Sequence, residues 1–205
     1  MILEALVVGP MEVNCYILAR EKGSSAIIID PGDSCRMINE ALKKNSLKPG
    51  LIINTHGHYD HIGCDNKFAV PVYVHARDAV FLKDPGLNLS STFALAYEVK
   101  SKIITVEENY LIELDGIRLK VLHIPGHTPG GIALLLEGSL DKIVFTGDNL
   151  FCRGIGRSDL PGGDQEALVE NIKEKLLVLP DETIVYPGHG PSSTIGEEKR
   201  ENPFL

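Results

Sequence analysis

Short apolar runs separated by turns that contain Gly and Pro occupy much of the chain and predict a strand-rich fold. Weak alternation over residues 2–18 and the apolar run 26–29 predict two or three strands, with a turn at 21–23. Residues 51–53 predict the next buried strand. Between them, residues 34–44 predict an amphipathic helix that Ser34 caps. The apolar face of that helix is expected to contain Met37, Ile38, Ala41 and Leu42. A strand, helix, strand succession indicates a layered α/β arrangement.

The second half of the chain predicts further strands and one strong helix. The clearest hairpin signal is the pair of alternating runs 111–114 and 117–121 around Asp115-Gly116. The longest amphipathic pattern predicts a helix over residues 164–177. Further strands are predicted at 70–74, 132–136, 142–146 and 183–186, and short helices at 62–68 and 76–82. Periodicity fades between residues 83 and 100, which predicts a long loop that would serve as a substrate lid or in dimerisation.

Three histidines and one aspartate directly follow the strand predicted at 51–53. His56 and His58 lie two residues apart, so in an extended chain they project to the same side and can chelate one ion. Asp60 and His61 come next and can hold a second ion. Imidazole combined with carboxylate suits zinc, manganese or iron(II) rather than calcium or magnesium. The alternative is a His-rich surface loop that binds metal only weakly.

Other residues of ligand type occupy comparable positions. Asp30, Asp148 and His189 each stand at the end of an apolar run beside Gly or Pro, and His127 lies in a similar turn before its strand. Each element therefore delivers one or more ligands to what we expect to be a common rim.

Composition and charge narrow the class of protein. A chain of 205 residues with 43% hydrophobic content predicts one globular domain that spans residues 1–205. The net charge of -8 and the lack of a Lys/Arg stripe disfavour a nucleic-acid partner. Residues 1–20 contain neither a basic cluster nor a long apolar span, so we expect no signal peptide, no membrane helix and a cytoplasmic enzyme.

The cysteines are widely spaced. Cys15, Cys35, Cys64 and Cys152 form no CxxC pair, which disfavours both a thiolate zinc site and a redox dithiol. We expect most of them, including Cys64 after the histidine loop, to be small buried hydrophobic residues.

Four motifs together resemble the metallo-β-lactamase superfamily, and within it the glyoxalase II-like branch. They are Thr55-His-x-His-x-Asp-His, Pro125-Gly-His-Thr-Pro-Gly, Thr146-Gly-Asp-Asn-Leu-Phe and Pro187-Gly-His-Gly, in the order of the family. The resemblance runs from about Asp30 to His189. It implies an α/β (α+β) fold of four αββα layers, in which two mixed sheets pack face to face under outer helices, with a binuclear site at one edge.

The resemblance also implies a role for each ligand. Two divalent metal ions are expected, most readily zinc, with iron or manganese as alternatives. The first would be held by His56, His58 and His127, the second by Asp60, His61 and His189, with Asp148 bridging both. A metal-bridging hydroxide would be the nucleophile, because two ions lower the pKa of a shared water. Asp60, His61 and Asp148 would then be the catalytic residues.

Residues beside the ligands are candidates for orienting them. Asp30, Thr128 and Thr55 are such candidates, since a metal-bound imidazole usually donates its other N–H to an oxygen acceptor. For Asp30, a turn-forming role before Pro31 is an equal alternative. His75 and His123 lie outside the ligand pattern and are expected to be structural.

The implied reaction is hydrolysis of a small-molecule hydroxyacyl thioester of the S-lactoylglutathione kind, since a thiolate leaves without prior protonation. Arg157 aligns with a basic position that contacts glutathione in glyoxalase II, and Arg153 lies nearby. Asp159 stands where those enzymes have a tyrosine, and we expect a short form without their helical C-terminal domain. The thiol carrier is therefore left open, and a monomer or a homodimer is expected.

Two other functions stay open from the sequence. One is a mononuclear iron(II) persulfide dioxygenase, whose Gly-Arg-x-Asp segment resembles residues 156–159 and whose ion would be held at His56, His127 and Asp148. The other is a non-catalytic, metal-stabilised binding module, disfavoured because such proteins tend to lose ligands. Two further functions of the superfamily are disfavoured. RNA-processing members carry an added domain and a basic surface that this chain lacks, and zinc β-lactamases usually have Cys where Asp148 stands.

Overall fold

The computed structural model describes all residues from Met1 to Leu205 and contains two six-stranded mixed sheets. The first sheet has its strands side by side in chain order: β1 (Ile2–Val8), β2 (Val13–Ala19), β3 (Ser25–Ile29), β4 (Lys48–Ile53), β5 (Val72–His75) and β6 (Ile103–Val106). The chain then forms β7 (Leu111–Leu114), β8 (Ile117–His123), β9 (Ile132–Glu137), β10 (Ile143–Gly147), a small hairpin of β11 (Leu150–Phe151) and β12 (Gly154–Ile155), β13 (Ile184–Pro187) and β14 (Ser193–Thr194). The second sheet has the order β14-β13-β10-β9-β8-β7.

Four α-helices complete the fold. They are α1 (Cys35–Lys44), α2 (Tyr59–Ile62), α3 (Gln165–Asn171), which continues as a π-helical turn over Ile172–Leu176, and α4 (Ile195–Glu201). None of these helices has the length and apolar character needed to cross a lipid bilayer.

Strands β3 and β4, which lead to the predicted ligand residues, are apolar because both of their faces are covered. In β3, Ile27 and Ile29 pack against the second sheet, whereas Ala26 and Ile28 pack on the opposite side with residues of α1. A strand buried on both faces appears in sequence as a continuous apolar run rather than an alternating one. This explains why the runs at 26–29 and 51–53 are so clearly recognisable.

Each outer face carries helices. Ile38, Ala41 and Leu42 of α1 pack on the first sheet. On the second sheet, Leu168 of α3 and Ile195 of α4 belong to one apolar cluster. The layers therefore follow the order helix, sheet, sheet, helix, and the αββα sandwich predicted from the sequence is confirmed.

Several local predictions are wrong in detail. The Ser34 side chain does not cap α1; its Oγ accepts a hydrogen bond from the Gly9 N–H at 3.2 Å, and Ser34 has a φ of 51°. Met37 is 45% exposed and is not part of the buried face. Residues 76–82 form two 3₁₀ turns, Ala76–Asp78 and Phe81–Lys83, instead of an α-helix. A buried aspartate in this segment, described below, holds the backbone in that shape.

Other segments match more closely. The helix predicted over 62–68 is an exception: α2 ends at Ile62, and only the 3₁₀ turn Asp65–Lys67 lies in the rest of that range. Helix α3 begins after Asp164, whose side chain accepts a hydrogen bond from the Ala167 N–H at 3.0 Å. Residue 83 ends the 3₁₀ turn Phe81–Lys83, and the rest of the segment up to residue 100 has no strand and only the 3₁₀ turn Ser90–Phe93, as expected of a loop. The sequence did not predict β6, the β11–β12 hairpin, β14 or α4.

Two of the cysteines are bonded to each other. A disulfide joins Cys35, at the start of α1, to Cys64, just after the histidine loop, with the two Cα atoms 5.6 Å apart. The expectation that these residues are independent hydrophobic side chains is therefore wrong, because distance along the chain does not report distance in space. Cys15 is buried and Cys152 is half-buried, and both are free thiols.

Candidate metal centre

The topology brings the predicted ligand loops to one edge of the sandwich. Strands β3 and β4 are parallel neighbours in the first sheet, and β10 and β13 are parallel neighbours in the second. The carboxyl ends of parallel neighbours open at the same edge. The residues at or directly after these ends are Asp30, the 56–61 loop, Asp148 and His189, while His127 comes from the β8–β9 connection.

Three buried imidazoles form the first group. Their facing atoms are His56 Nε2, His58 Nδ1 and His127 Nε2. His58 Nδ1 lies 3.0 Å from His127 Nε2, which in turn lies 3.3 Å from His56 Nε2. Three ring nitrogens thus point at one small space.

The hydrogen bonds on the far side of two of these rings decide which ring nitrogen carries the proton. His127 Nδ1 donates to the Arg157 carbonyl at 2.7 Å, since a carbonyl can only accept. His56 Nδ1 lies 3.3 Å from Thr55 Oγ1, whose own proton is donated to Asp30 Oδ2 at 2.7 Å. His56 therefore also carries its proton on Nδ1. Both Nε2 atoms consequently face each other as bare lone pairs.

Such lone pairs repel unless a cation lies between them, so the first group fits a metal ion. Zinc–nitrogen bonds of about 2.0–2.1 Å in a tetrahedral site place the ligand nitrogens roughly 3.3 Å apart, close to the spacing here. The donor set is that of a transition-metal site rather than a calcium or magnesium site.

The second group combines two imidazoles with a carboxylate. Asp60 Oδ2 lies 3.5 Å from His189 Nε2 and 3.8 Å from His61 Nε2. His61 is fully buried, and its Nδ1 lies 3.1 Å from Asp30 Oδ2. Asp30 thus contacts His61 directly and His56 through Thr55, so a single carboxylate supports one ligand in each group.

Asp148 lies between the two groups. Its Oδ1 is 3.4 Å from His61 Nε2, and its Oδ2 is 3.5 Å from His189 Nε2 and 3.8 Å from His127 Nε2. This is the position required of a shared ligand. The structure therefore brings all seven predicted residues together at one edge, where three groups each have donor atoms within 4.8 Å of one another: His56, His58 and His127; His56, His61 and Asp148; and Asp60, His61 and His189.

The pKa values of the imidazoles are shifted in opposite directions in the two groups. Burial, reinforced by the neighbouring imidazoles, lowers the pKa of His56 well below its ordinary range and lowers the pKa of His58 to about 3. Burial acts in the same direction on His61, but the charges of Asp148, Asp60 and Asp30 outweigh it and raise the pKa of His61. His56 and His58 are therefore neutral imidazoles, the form that binds metal, and the carboxylates are concentrated in the second group.

Asp78 is a buried carboxylate that the sequence analysis missed. Its Oδ2 accepts hydrogen bonds from the Gly57 N–H at 2.9 Å and from Thr128 Oγ1 at 2.8 Å, and its Oδ1 accepts one from the Gly130 N–H at 2.6 Å. Gly57 lies between His56 and His58, and Thr128 follows His127. Thr128 thus bonds to Asp78 and not to an imidazole. The signal that could have found Asp78 is a lone carboxylate in an otherwise mostly apolar segment.

Gly188 lets the backbone approach two of the candidate ligand side chains closely. A Cβ atom at this position would lie 2.0 Å from Asp148 Oδ1 and 2.9 Å from His61 Cε1. Only glycine leaves room for the shared carboxylate between β10 and β13.

The metal centre lies at the base of a cleft of about 580 Å³. Arg157 lines this cleft and forms an exposed ion pair with Asp159, with its Nε 2.7 Å from Oδ1. Arg153 does not line the cleft; it contacts Glu201 of α4. Of the two arginines predicted to bind substrate, the structure places only Arg157 at the site.

Comparisons with known proteins agree with this geometry. The profile of the Metallo-beta-lactamase superfamily matches residues 8–189. The probable metallo-hydrolase YqgX of Bacillus subtilis is 39% identical over 208 residues, which cover 97% of this chain and 94% of the relative. The hydroxyacylglutathione hydrolase GloC of Haemophilus influenzae is 35% identical over 210 residues, which cover 99% and 97%.

Solved structures with the same fold include three of particular interest. BLEG-1, a B3 metallo-beta-lactamase, is 36% identical with a TM-score of 0.90, covering 100% of this chain and 99% of that chain. TTHA1623 in a di-iron-bound form is 37% identical with a TM-score of 0.85, covering 98% and 100%. ETHE1 from Myxococcus xanthus is 28% identical with a TM-score of 0.80, covering 99% and 84%. Together with the ligand geometry, these matches show that the chain belongs to the metallo-beta-lactamase superfamily.

Proposed function

We propose that the protein is a thioester hydrolase of the hydroxyacylglutathione kind, which acts with two divalent metal ions, most readily zinc. The observation that carries the proposal is the convergence of seven donor side chains into two groups that share Asp148 at the base of one cleft. The similarity to GloC supports the thioester class, and the similarity to a di-iron structure supports two ions.

The chain's own residues prepare the site for this chemistry. A pair of bound divalent ions supplies Lewis acidity toward a carbonyl oxygen and lowers the pKa of a water to near neutrality. The charges of His61 and the neighbouring imidazoles outweigh burial and keep the pKa of Asp148 below its usual range, and the pKa of Asp60 is lowered in the same way. Both carboxylates therefore stay ionised, and Asp60 Oδ2 can accept a hydrogen bond from the attacking water.

A thioester fits this arrangement better than an ester or amide. Its thiolate leaves without a proton, so the reaction does not require a side chain of the cleft to act as an acid toward the leaving group. Arg157 is the only Lys or Arg side chain that lines the cleft, so it is the candidate contact for an anionic thiol carrier.

The alternative is an iron persulfide dioxygenase, which the segment 156–159 resembles and which needs one ion at His56, His127 and Asp148. That reaction would leave Asp60 and His189 without a function, although both form, with His61, a group that could hold a metal ion. The likeness to BLEG-1 adds β-lactam hydrolysis as a further activity to be measured.

One purified sample separates these activities. Protein prepared without added metal is analysed for metal content, then assayed for thiol release from S-lactoylglutathione, oxygen consumption with glutathione persulfide, and opening of a chromogenic cephalosporin. Thiol release with about two ions per chain is the expected result. Oxygen consumption with one iron per chain and no thiol release would overturn the proposal, and so would cephalosporin opening alone.

The partner and the compartment are part of the proposal. We expect a small-molecule thioester as the partner, a monomer or a homodimer in solution, and a cytoplasmic location. Because disulfides are rare in the cytosol of mesophiles, thiol trapping followed by mass spectrometry of Cys35 and Cys64 bears directly on the location.

A further inference from the structure

The cleft extends past the metal centre into a second, smaller groove. This groove, of about 220 Å³, runs between the β1–β2 turn and the segment 89–95, and it shares Met11, Tyr59, Asp60 and Phe93 with the main cleft. Its apolar walls, which we call the apolar arm, are Val8, Pro10, Met11, Val13, Phe93 and Leu95. Arg157 lies only in the main cleft and is absent from the arm.

The apolar arm leaves large side chains in water. Met11 is 50% exposed, Phe93 55% and Leu95 44%. Single exposed apolar residues are common on protein surfaces, but a cluster beside a cleft marks a surface that a ligand covers. The charged side chains of the groove are the carboxylates Asp33 and Asp60, so the arm disfavours an anionic group.

The backbone on either side of Phe93 has an energetically unfavourable conformation. Leu89 and Ala94 have φ angles of 68° and 57°, in the left-handed region that non-glycine residues avoid at about 1–2 kcal/mol each. The base of the segment is fastened by buried Asn88, whose side-chain nitrogen donates to the carbonyls of Phe81 and Tyr97 at 3.0 Å each. Strain of this kind, maintained by anchors on either side, is found at ligand sites.

The segment 89–95 faces the 56–61 loop. The Phe93 ring lies 6.4 Å, centroid to centroid, from the ring of Tyr59, the residue that precedes Asp60. A group that reaches the metal centre from this side passes Phe93 and Met11, which line both grooves.

We propose, resting on the thioester hydrolase function above, that the apolar arm binds the acyl half of the substrate and that it makes the enzyme prefer a short apolar acyl chain to the lactoyl group, which it also cleaves. Small carrier thiols bear carboxylates or phosphates, so the thiol half is directed to Arg157, the one cationic side chain of the cleft. The scissile carbonyl lies at the metal centre between the two halves. The acyl half is thereby directed to the side lined by Met11 and Phe93.

The test is a series of glutathione thioesters with lactoyl, acetyl, butyryl and hexanoyl groups. We expect kcat/KM to rise about fourfold per added methylene up to the length that fills the groove, and butyryl to exceed lactoyl. Phe93→Ala is expected to flatten this dependence. Phe204→Ala is the matched control, because Phe204 is 53% exposed and lies outside both grooves, and it should leave the series unchanged.

Binding of uncleavable S-alkyl glutathiones gives a second readout that does not depend on turnover. Calorimetry of the metal-loaded protein should show tighter binding from S-methyl to S-hexyl, with the gain lost in Phe93→Ala. Hydrolysis of every thioester without a chain-length trend, or an equal loss for all substrates in Phe93→Ala, would overturn the acyl assignment and leave the thioesterase function intact. Failure to hydrolyse any thioester would remove both proposals.

Discussion

At the residue scale, the site depends on which nitrogen of each imidazole carries a proton. The Arg157 carbonyl and the Thr55 hydroxyl oxygen accept hydrogen bonds from the Nδ1–H groups of His127 and His56, which leaves both Nε2 atoms free to bind a cation. Asp30 accepts a hydrogen bond from the Thr55 hydroxyl and also contacts His61. The seven ligands were predictable from residue type and position in the chain. These supporting contacts were only partly so, because they join residues that are distant in sequence.

Asp78→Asn should weaken the first metal group. An amide that keeps its oxygen toward Gly57 and Thr128 must turn its NH₂ toward the Gly130 N–H, so two donors face each other in a buried site. We expect the metal affinity of this group to fall about tenfold or more, measured by competition with a chromophoric chelator. A rise in KM with unchanged metal affinity would contradict this role.

Asp65→Asn is the matched control for that variant. Asp65 is as deeply buried as Asp78, but its side chain contacts Asn54 and neither of the loops that carry His56, His58 and His127. Its replacement should change the free energy of unfolding without a selective loss of the first metal ion.

Gly188→Ala should displace Asp148, because the added Cβ would lie 2.0 Å from its Oδ1. We expect one of the two ions to be lost and kcat to fall about 100-fold, determined by elemental analysis and a thiol-release assay. Gly190→Ala is the comparison: no atom lies within 4 Å of its added Cβ, and its φ of +75° predicts only a backbone cost of about 1 kcal/mol. Full metal content in Gly188→Ala would show that the close approach is unimportant.

At the element scale, strands were easier to predict than helices. The runs at 26–29 and 51–53 are buried on both faces, so their apolar character is continuous and unambiguous. The segment 76–82 has apolar residues at helical spacing, yet the bonds of Asp78 to Gly57 and Gly130 hold it in 3₁₀ turns. Tertiary contacts overrode local preference there, and short strands such as β14 have too few residues to produce a pattern.

The Cys35–Cys64 disulfide, which joins the start of α1 to the end of the histidine loop, should increase the free energy of unfolding. It closes a loop with a sequence separation of 29, for which the chain-entropy account gives about 3–4 kcal/mol. The double variant Cys35→Ala/Cys64→Ala should therefore unfold at a lower urea concentration than the oxidised wild type. Cys152→Ala, which removes a free thiol, is the control and should unfold like the wild type. Equal midpoints for all three proteins would contradict this contribution.

At the scale of the whole molecule, the fold holds two sheets together at the edge where the ligands meet. His75 at the end of β5 and His123 at the end of β8 stack across the two sheets, with ring centroids 3.8 Å apart and planes 8° apart. They take no part in the metal groups, as was expected of them from the sequence. That they contact each other could not have been predicted, because the pairing follows from how the sheets face one another.

This histidine pair should make the metal-free protein sensitive to acid. Burial, and then the neighbouring His123, lowers the pKa of His75 to about 4, although Glu107 opposes the shift. An unfolded histidine has a pKa of about 6.5, so between about pH 6.5 and pH 4 the unfolded chain binds more protons and stability falls as the pH drops.

The comparison is with His75→Gln. We expect the wild type to lose about 1–2 kcal/mol more than the variant between pH 7 and pH 4, from urea unfolding in the presence of a chelator. An equal loss in both proteins would assign the acid sensitivity to other groups, such as the buried His56 and His58.

The most direct test of the account is an anomalous diffraction measurement at the zinc edge on crystals grown with zinc. We expect two peaks per chain about 3.5–4 Å apart, one among His56, His58 and His127 and one among Asp60, His61 and His189, with Asp148 touching both. A single peak, or two peaks that Asp148 does not join, would contradict it.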